Sequence, residues 1–379
     1  MRRALILVCL NFTLSLHLIS ALKMRRTLSM NIFDKFSKAV QNSITPPLPM
    51  EKYVQPLSII DINDFLSAND WPQGLQQYLI DNANNIPLRL FICDDSGSML
   101  ASDGVQIVRN IRNIAMQPCS RWAELGDTIT FQSTIASLLN VNTEFKMLNK
   151  FSSLSTGGGH DENKLKKFHS VFSNESPSGG TPLCNSIRDA IKKVQSIEQD
   201  LRANRTRACI IIGTDGESSD GDFAEAMKPF ERLPVSVVVK LCTNEDRIVD
   251  YWNEIDSNLE VDIDVLDDTG GEAEEVYKVN PWLNYIEPMH RIREFGMDVK
   301  ELDLIDERLL SPSQMRFLCA ILLGVTADEL PPVSDMKGLV SRIEALVAEE
   351  HRYFSLYHKK PMPLVDINAL KQCYKKSFF

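Results

Sequence analysis

Leu90-Phe91-Ile92-Cys93-Asp94-Asp95-Ser96-Gly97-Ser98 decides how this chain is read: an apolar run breaks into a carboxylate followed by two alternating hydroxyls. Four apolar residues without polar alternation predict a strand buried on both faces. An Asp-x-Ser-x-Ser directly after it puts three oxygen side chains on one tight loop at the strand's carboxyl end. Ser178-Gly179-Gly180-Thr181-Pro182 supplies a further hydroxyl on a glycine-freed loop. Ile210-Ile211-Ile212-Gly213-Thr214-Asp215-Gly216 ends a second apolar run in a carboxylate.

The segments around these pieces alternate. Residues 90–93, 208–212, 235–241 and 261–266 read as strands, and 182–197, 223–230 and 247–255 as helices. Residues 105–116 read as a helix burying Val105, Ile107, Val108, Ile111 and Ile114, while 128–132 and 135–139 read as a strand pair. Strands without a polar face, separated by helices, predict an α/β fold: a doubly wound, mostly parallel sheet, with the strand pair as its one antiparallel edge. Such sheets bind ligands beyond the carboxyl ends of their strands, where strand order reverses. The strands ending at Asp94 and Asp215 are expected to flank that crevice. Residues 146–167 fit the scheme poorly and hold Gly157-Gly158-Gly159, a long loop expected to border the binding surface.

The three pieces, in this order, resemble the metal-ion-dependent adhesion site of von Willebrand factor type A domains, and the likeness spans roughly half the chain. It implies a domain over 88–280 with Asp94, Ser96, Ser98, Thr181 and Asp215 around Mg2+, Mn2+ or Ca2+. The hydroxyls of Ser96, Ser98 and Thr181 would be direct neutral ligands, and Asp94 and Asp215 would hold coordinated waters. Neutral ligands leave the ion underneutralised, so the resemblance implies a protein partner whose acidic side chain completes the coordination. It equally allows a regulatory subunit of a AAA-type ATPase or chelatase complex, with the ATPase on a separate chain. Gly97 is expected to let the loop turn between the serines, and Asp95 sits in the variable slot. Glu217 and Asp220 read as loop acids. Asp262, Asp264, Asp267, Asp268, Glu272, Glu274 and Glu275 read as a solvated strand edge and helix start, with a second cation site as the rival.

Enzyme signatures are missing from the sequence: no His-Glu-x-x-His, no Gly-x-Ser-x-Gly and no Walker loop. His351 and His358 read as exposed. A strand-ending Asp with a later Thr-Asp is superficially similar to haloacid-dehalogenase-type phosphatases, but those need a second Asp two residues on, where this chain has Ser96.

The 379 residues suffice for one α/β domain and a smaller unit, and 44% hydrophobic with 24% charged residues is globular composition. A net charge of -10 argues against a general nucleic-acid binder, which needs a clustered positive surface. Residues 46–87 read as a linker around Pro46-Pro47-Leu48-Pro49 followed by two short helices. Asp61 and Asp70 are their candidate caps, and Pro72 stands at a helix start. Together they form a lid packed on the main domain. Helical patterns at 315–323 and 339–350 make 281–379 a helical C-terminal unit.

Residues 1–45 read as a targeting presequence running into the start of the mature chain. Arg2 and Arg3 precede the apolar run from Ala4, and Ile19-Ser20-Ala21 offers a cleavage sequence, so no stable membrane span is expected in the mature chain. The acid-free, basic and hydroxylated stretch before Asp34 resembles the bipartite presequences of algae with secondary plastids. Plastid stroma, a secreted or endomembrane location, and cytosol all stay open. Eight cysteines without a Cys-x-x-Cys, three of them (Cys93, Cys209, Cys242) inside strand-like runs, favour the stroma.

Overall fold

The computed structural model describes residues 61–375, apart from 111, 112, 151, 244 and 298. The presequence and the Pro-rich linker lie outside the described residues.

A six-stranded sheet runs β5-β4-β1-β6-β7-β8, from β1 (Arg89–Cys93), β4 (Thr143–Met147), β5 (Ser153–Ser155), β6 (Ala208–Thr214), β7 (Val235–Leu241) and β8 (Asp262–Leu266). Only β5 is antiparallel to its neighbour. The sheet is doubly wound, mostly parallel and antiparallel at one edge, as the apolar strands require. Its order reverses between β1 and β6, where Arg89 pairs with Cys209 and Cys93 with Gly213.

Alternate strand residues feed two cores, because successive side chains point to opposite faces. Leu90, Ile92, Ile210, Ile212, Val237 and Val239 pack with helices α5 (Leu183–Asn204), α6 (Phe223–Met227) and α7 (Asp246–Asn258). Phe91, Cys93, Cys209, Ile211 and Val238 face the other way, toward helix α3 (Arg121–Leu138) and much of the chain past residue 280.

Two expected elements change type. Residues 105–116 are not a helix but most of an antiparallel hairpin, β2 (Gly104–Asn110) and β3 (Asn113–Cys119), with Ile107 opposite Met116. The β-branched side chains of this run suit a pleated surface better than a helix. The strand pair read at 128–132 and 135–139 is instead the second half of α3 and its C-cap Leu139. Ser120 caps that helix by accepting the Ala123 N–H at 3.2 Å. The antiparallel edge is supplied by β4 and β5, and the segment after it contains helix α4 (Glu162–Asn174).

Helices α1 (Ile62–Ala68) and α2 (Gln73–Asn82) exist as read, with Asp61 capping α1. Asp70 is not a cap: it has φ 63 and its carboxylate meets His351 Nε2 at 2.7 Å. Phe65, Leu66, Leu75 and Leu79 lie inside the core shared with the sheet. Past residue 280 come α8's successors; α8 itself is Thr269–Val279, followed by α9 (Glu287–Glu294), α10 (Lys300–Asp303), α11 (Pro312–Leu322), α12 (Met336–Glu349), the small hairpin β9 (Tyr353–Ser355) and β10 (Lys360–Met362), and α13 (Ile367–Cys373). Every residue of α9 is buried. Arg89, wholly buried, donates to the Phe295 carbonyl at 2.9 Å and the Ala83 carbonyl at 2.9 Å, linking β1 to both flanking segments. No single helix among the described residues is long and apolar enough to cross a membrane.

Candidate metal centre

The crevice where strand order reverses is built from the ends of β1 and β6. The Asp94 N–H donates to the Gly213 carbonyl at 2.9 Å, continuing the parallel ladder one residue past the strand and so setting Asp94 beside Thr214 and Asp215. Asp94 and Asp215 are both buried. Asp94 Oδ1 accepts the Ser96 N–H at 2.8 Å, a turn that folds the two serines back over the carboxylate, and Oδ2 accepts the Thr214 hydroxyl at 2.6 Å. The Ser96 and Ser98 hydroxyls lie 2.9 Å apart, and Ser98 Oγ donates to Asp215 Oδ1 at 2.8 Å. Ser96, Ser98, Asp94 and Asp215 therefore form one connected oxygen cluster.

Thr181 reaches the same end of the sheet through backbone contacts. Gly97 N–H donates to the Gly179 carbonyl at 3.1 Å, and Ser178 N–H to the Asp95 carbonyl at 2.7 Å, tying the loop before α5 to the serine loop. Gly179 has φ 98, and a Cβ there would stand 2.8 Å from Asn149 Oδ1, so this turn requires glycine. Gly97 does not have that need: its φ is not positive, and a Cβ would meet nothing nearer than the Gly179 carbonyl at 3.8 Å. Thr181 N–H donates to Ser219 Oγ at 2.9 Å, which places the threonine against the loop after Asp215. Asp220 is no free loop acid: it accepts the Cys184 and Asn185 N–H groups at 2.9 and 3.0 Å, at the start of the helix that follows Thr181. Glu217 is ion-paired with Arg247 on α7.

Asp95, in the variable slot, is fully buried and bonds to another loop. It accepts Asn149 N–H at 2.8 Å, Asn149 Nδ2 at 3.0 Å and Lys150 N–H at 3.0 Å, so it pins the loop after β4.

Arg121 is the residue that sequence reasoning missed. It opens α3, its side chain is 7% exposed, and its Nη1 lies 3.0 Å from Asp215 Oδ2. Its other nitrogens meet Asp103 at 2.7 and 2.6 Å and Glu245 at 2.6 Å. Those partners lie 18, 94 and 124 residues away along the chain, so no local pattern could announce them.

The electrostatics suit a cation. Burial raises the Asp94 carboxyl above its ordinary value, the Thr214 and Ser96 hydrogen bonds oppose this, and the charge of Asp215 adds to the rise. Asp215, Asp103 and Glu245 share the one Arg121 guanidinium, so acidic side chains outnumber it at the crevice. Hydroxyl and carboxylate oxygens are the donor chemistry that hard divalent cations take. The chain's residues therefore fit a hard divalent ion. Among the described residues no group of three or more His, Cys, Asp or Glu side chains is placed to hold a metal, so a site here must draw on hydroxyls.

The acidic run from Asp262 divides. Asp268 caps α8, accepting the Gly270 and Gly271 N–H groups at 2.7 Å, as a helix start should. Asp264 and Glu272 are instead paired with the buried Arg293, which corrects the reading of the whole run as solvated. Burial pushes the Asp267 carboxyl up to about 6, with Glu275 and Asp268 adding to it.

No family model matches the chain, and no curated protein matches it. Solved structures similar to it include the conserved hypothetical protein BatB from Bacteroides thetaiotaomicron, at 16% identity, covering 55% of this chain and 98% of that one with a TM-score of 0.34. The SpRpn10 VWA domain is another, at 12% identity, covering 48% of this chain and 89% of that one with a TM-score of 0.31. Both likenesses are remote; the fold stands on the strand order itself.

Proposed function

We propose that this protein is a divalent-cation-dependent protein-binding module. Asp94, Ser96, Ser98, Thr181 and Asp215 would hold Mg2+, with Mn2+ or Ca2+ as substitutes, and a carboxylate from a partner protein would complete the coordination. The observation that carries this reading is the convergence of three chain segments at the strand-order reversal, where Ser98 Oγ bonds Asp215 Oδ1 at 2.8 Å across 117 residues of sequence. Mg2+ keeps some of its waters and demands near-octahedral oxygen ligation. Two serines and a threonine supply neutral oxygens, so the bound ion would keep excess positive charge toward the crevice mouth. Ser98 is exposed there, leaving a route for an acidic side chain.

The test is calorimetric titration of the full chain with Mn2+ and Mg2+, followed by partner capture in Mg2+ and in chelator. One saturable site is expected, with captured protein released by chelator and retained by neither Asp94→Ala nor Asp215→Ala in a folded state. A chain that takes up no Mn2+, or partners that stay bound equally under all these conditions, would overturn the reading.

A further inference from the structure

Arg121 has no place in the expected ligand set, yet its guanidinium lies against one of its carboxylates. The bonds it makes are unequal. Asp103 takes it through two parallel contacts at 2.7 and 2.6 Å, the paired geometry in which guanidinium–carboxylate contacts are strongest. Glu245 adds one at 2.6 Å, while Asp215 holds it by a single contact at 3.0 Å, the longest of the four. Asp103 and Glu245 have side chains 39% and 51% exposed, whereas that of Asp215 is 0% exposed. The guanidinium is thus anchored at the crevice rim and leans inward onto the site.

A divalent ion and a guanidinium seek the same carboxylate, and two cations this close in a buried crevice repel strongly. We propose that Arg121 is a built-in competitor for the cation: it neutralises Asp215 in the ion-free state and gives it up when the ion binds, remaining held by Asp103 and Glu245. This rests on the metal-binding reading and deepens it, because it makes the site's affinity a property of Arg121 as well as of the ligands. It also couples occupancy to two loops, the one before β2 that carries Asp103 and the one before α7 that carries Glu245.

The experiment is Mn2+ titration of the full chain as wild type, Arg121→Gln, Asp103→Asn and Arg207→Gln, with melting temperatures recorded with and without Mn2+. Arg207 pairs with Asp262 at the start of β8, away from the strand ends that carry the site, so its substitution controls for net charge alone. Arg121→Gln is expected to bind Mn2+ at least tenfold more tightly, to melt lower without the ion, and to gain more from it. Arg207→Gln should stay within about twofold of wild type, a shift small against screening of exposed charges. Asp103→Asn, at an exposed position, should weaken binding severalfold by releasing Arg121 onto Asp215. Wild type that binds while Arg121→Gln binds equally or more weakly overturns the competitor role and leaves the metal site standing. So does Asp103→Asn binding as tightly as wild type, a result that stands even if Arg121→Gln fails to fold. Uptake by none of the variants overturns both.

Discussion

Asp94 carries the conflict of this site in one side chain. It is fully buried beside Asp215, and burial holds its carboxyl above the ordinary 3.8. A carboxyl whose folded value is raised binds its proton more readily in the folded chain, so its cost to stability is fully present above the folded value and is relieved as pH falls toward 3.8. Asp94→Asn should therefore raise the melting temperature of the ion-free protein near neutral pH and flatten this part of its pH dependence. The amide can still accept the Ser96 N–H, and the Thr214 hydroxyl can rotate to accept from it. Melting curves between pH 4 and 8, without metal, check this; a lower melting temperature for the variant contradicts it. Ser98→Ala and Thr181→Ala each remove one hydroxyl and should weaken Mn2+ binding by about 1–3 kcal/mol, comparable to losing a hydrogen bond to a charged group. Unchanged titrations in both would remove these residues from the ligand set.

At the scale of elements, α3 shows why a strong local signal can mislead. Its middle, Thr128-Ile129-Thr130, is β-branched, and nearly all of the helix is buried, so no solvent-exposed polar face gives it a helical period. What holds it is the polar side it turns to α9. Arg291 meets Asp127 at 2.7 Å, Glu294 at 3.0 Å and the Thr128 hydroxyl at 2.8 Å, all buried. Arg291 and His290 hold the Glu294 carboxyl well below its ordinary 4.5 against the cost of its burial. A lowered folded value means that its stabilising contribution is present above 4.5 and is lost as pH falls below it. Glu294→Ala leaves Arg291 with one acidic partner fewer inside the protein and should cost about 3–5 kcal/mol, the range for breaking a buried pair from one side. Urea unfolding at neutral pH measures it, and a change under 1 kcal/mol would mean that the network is slack.

For the whole molecule, the sheet and the chain past residue 280 share one hydrophobic core. Phe91, Ile211 and Val238 belong to the same cluster as Trp282, Met289, Phe295, Leu318 and Ile343. Gly296 shows how close the approach is: at φ 71, a Cβ there would lie 2.3 Å from Cys209 Sγ of the sheet. A chain ending at residue 280 would uncover part of one face of the sheet and strand the buried Arg89 without its Phe295 acceptor. Such a truncation should be insoluble or lack a cooperative melt, and a sharp thermal transition in soluble 61–280 protein would show the sheet to be self-sufficient.

Strands β1, β6, β7 and β8 and the helices α5, α6 and α7 were legible, because β1, β6 and β7 are buried along their whole lengths and are therefore mostly apolar, with Arg89, Thr214, Ser236 and Lys240 as polar exceptions. Strand β4, with Glu144 and Lys146 between its apolar residues, was not. From that alternation the crevice follows, and with it the neighbourhood of Asp94 and Asp215. The hairpin at β2–β3 and helix α3 were not legible, since β-branched residues serve either structure and only their tertiary neighbours choose. The Gln106 amide, for example, donates to the Ala123 carbonyl of α3 at 2.7 Å, and the Val105 N–H to Glu124 at 3.0 Å. Arg121 belongs to the same class. A sequence determines the type of each side chain and the rhythm of its burial, so strand ends and their oxygen ligands can be read in order. Where one guanidinium meets carboxylates on three distant loops is decided by the packing of α3 against the sheet, because charge pairing acts through space and leaves no period along the chain.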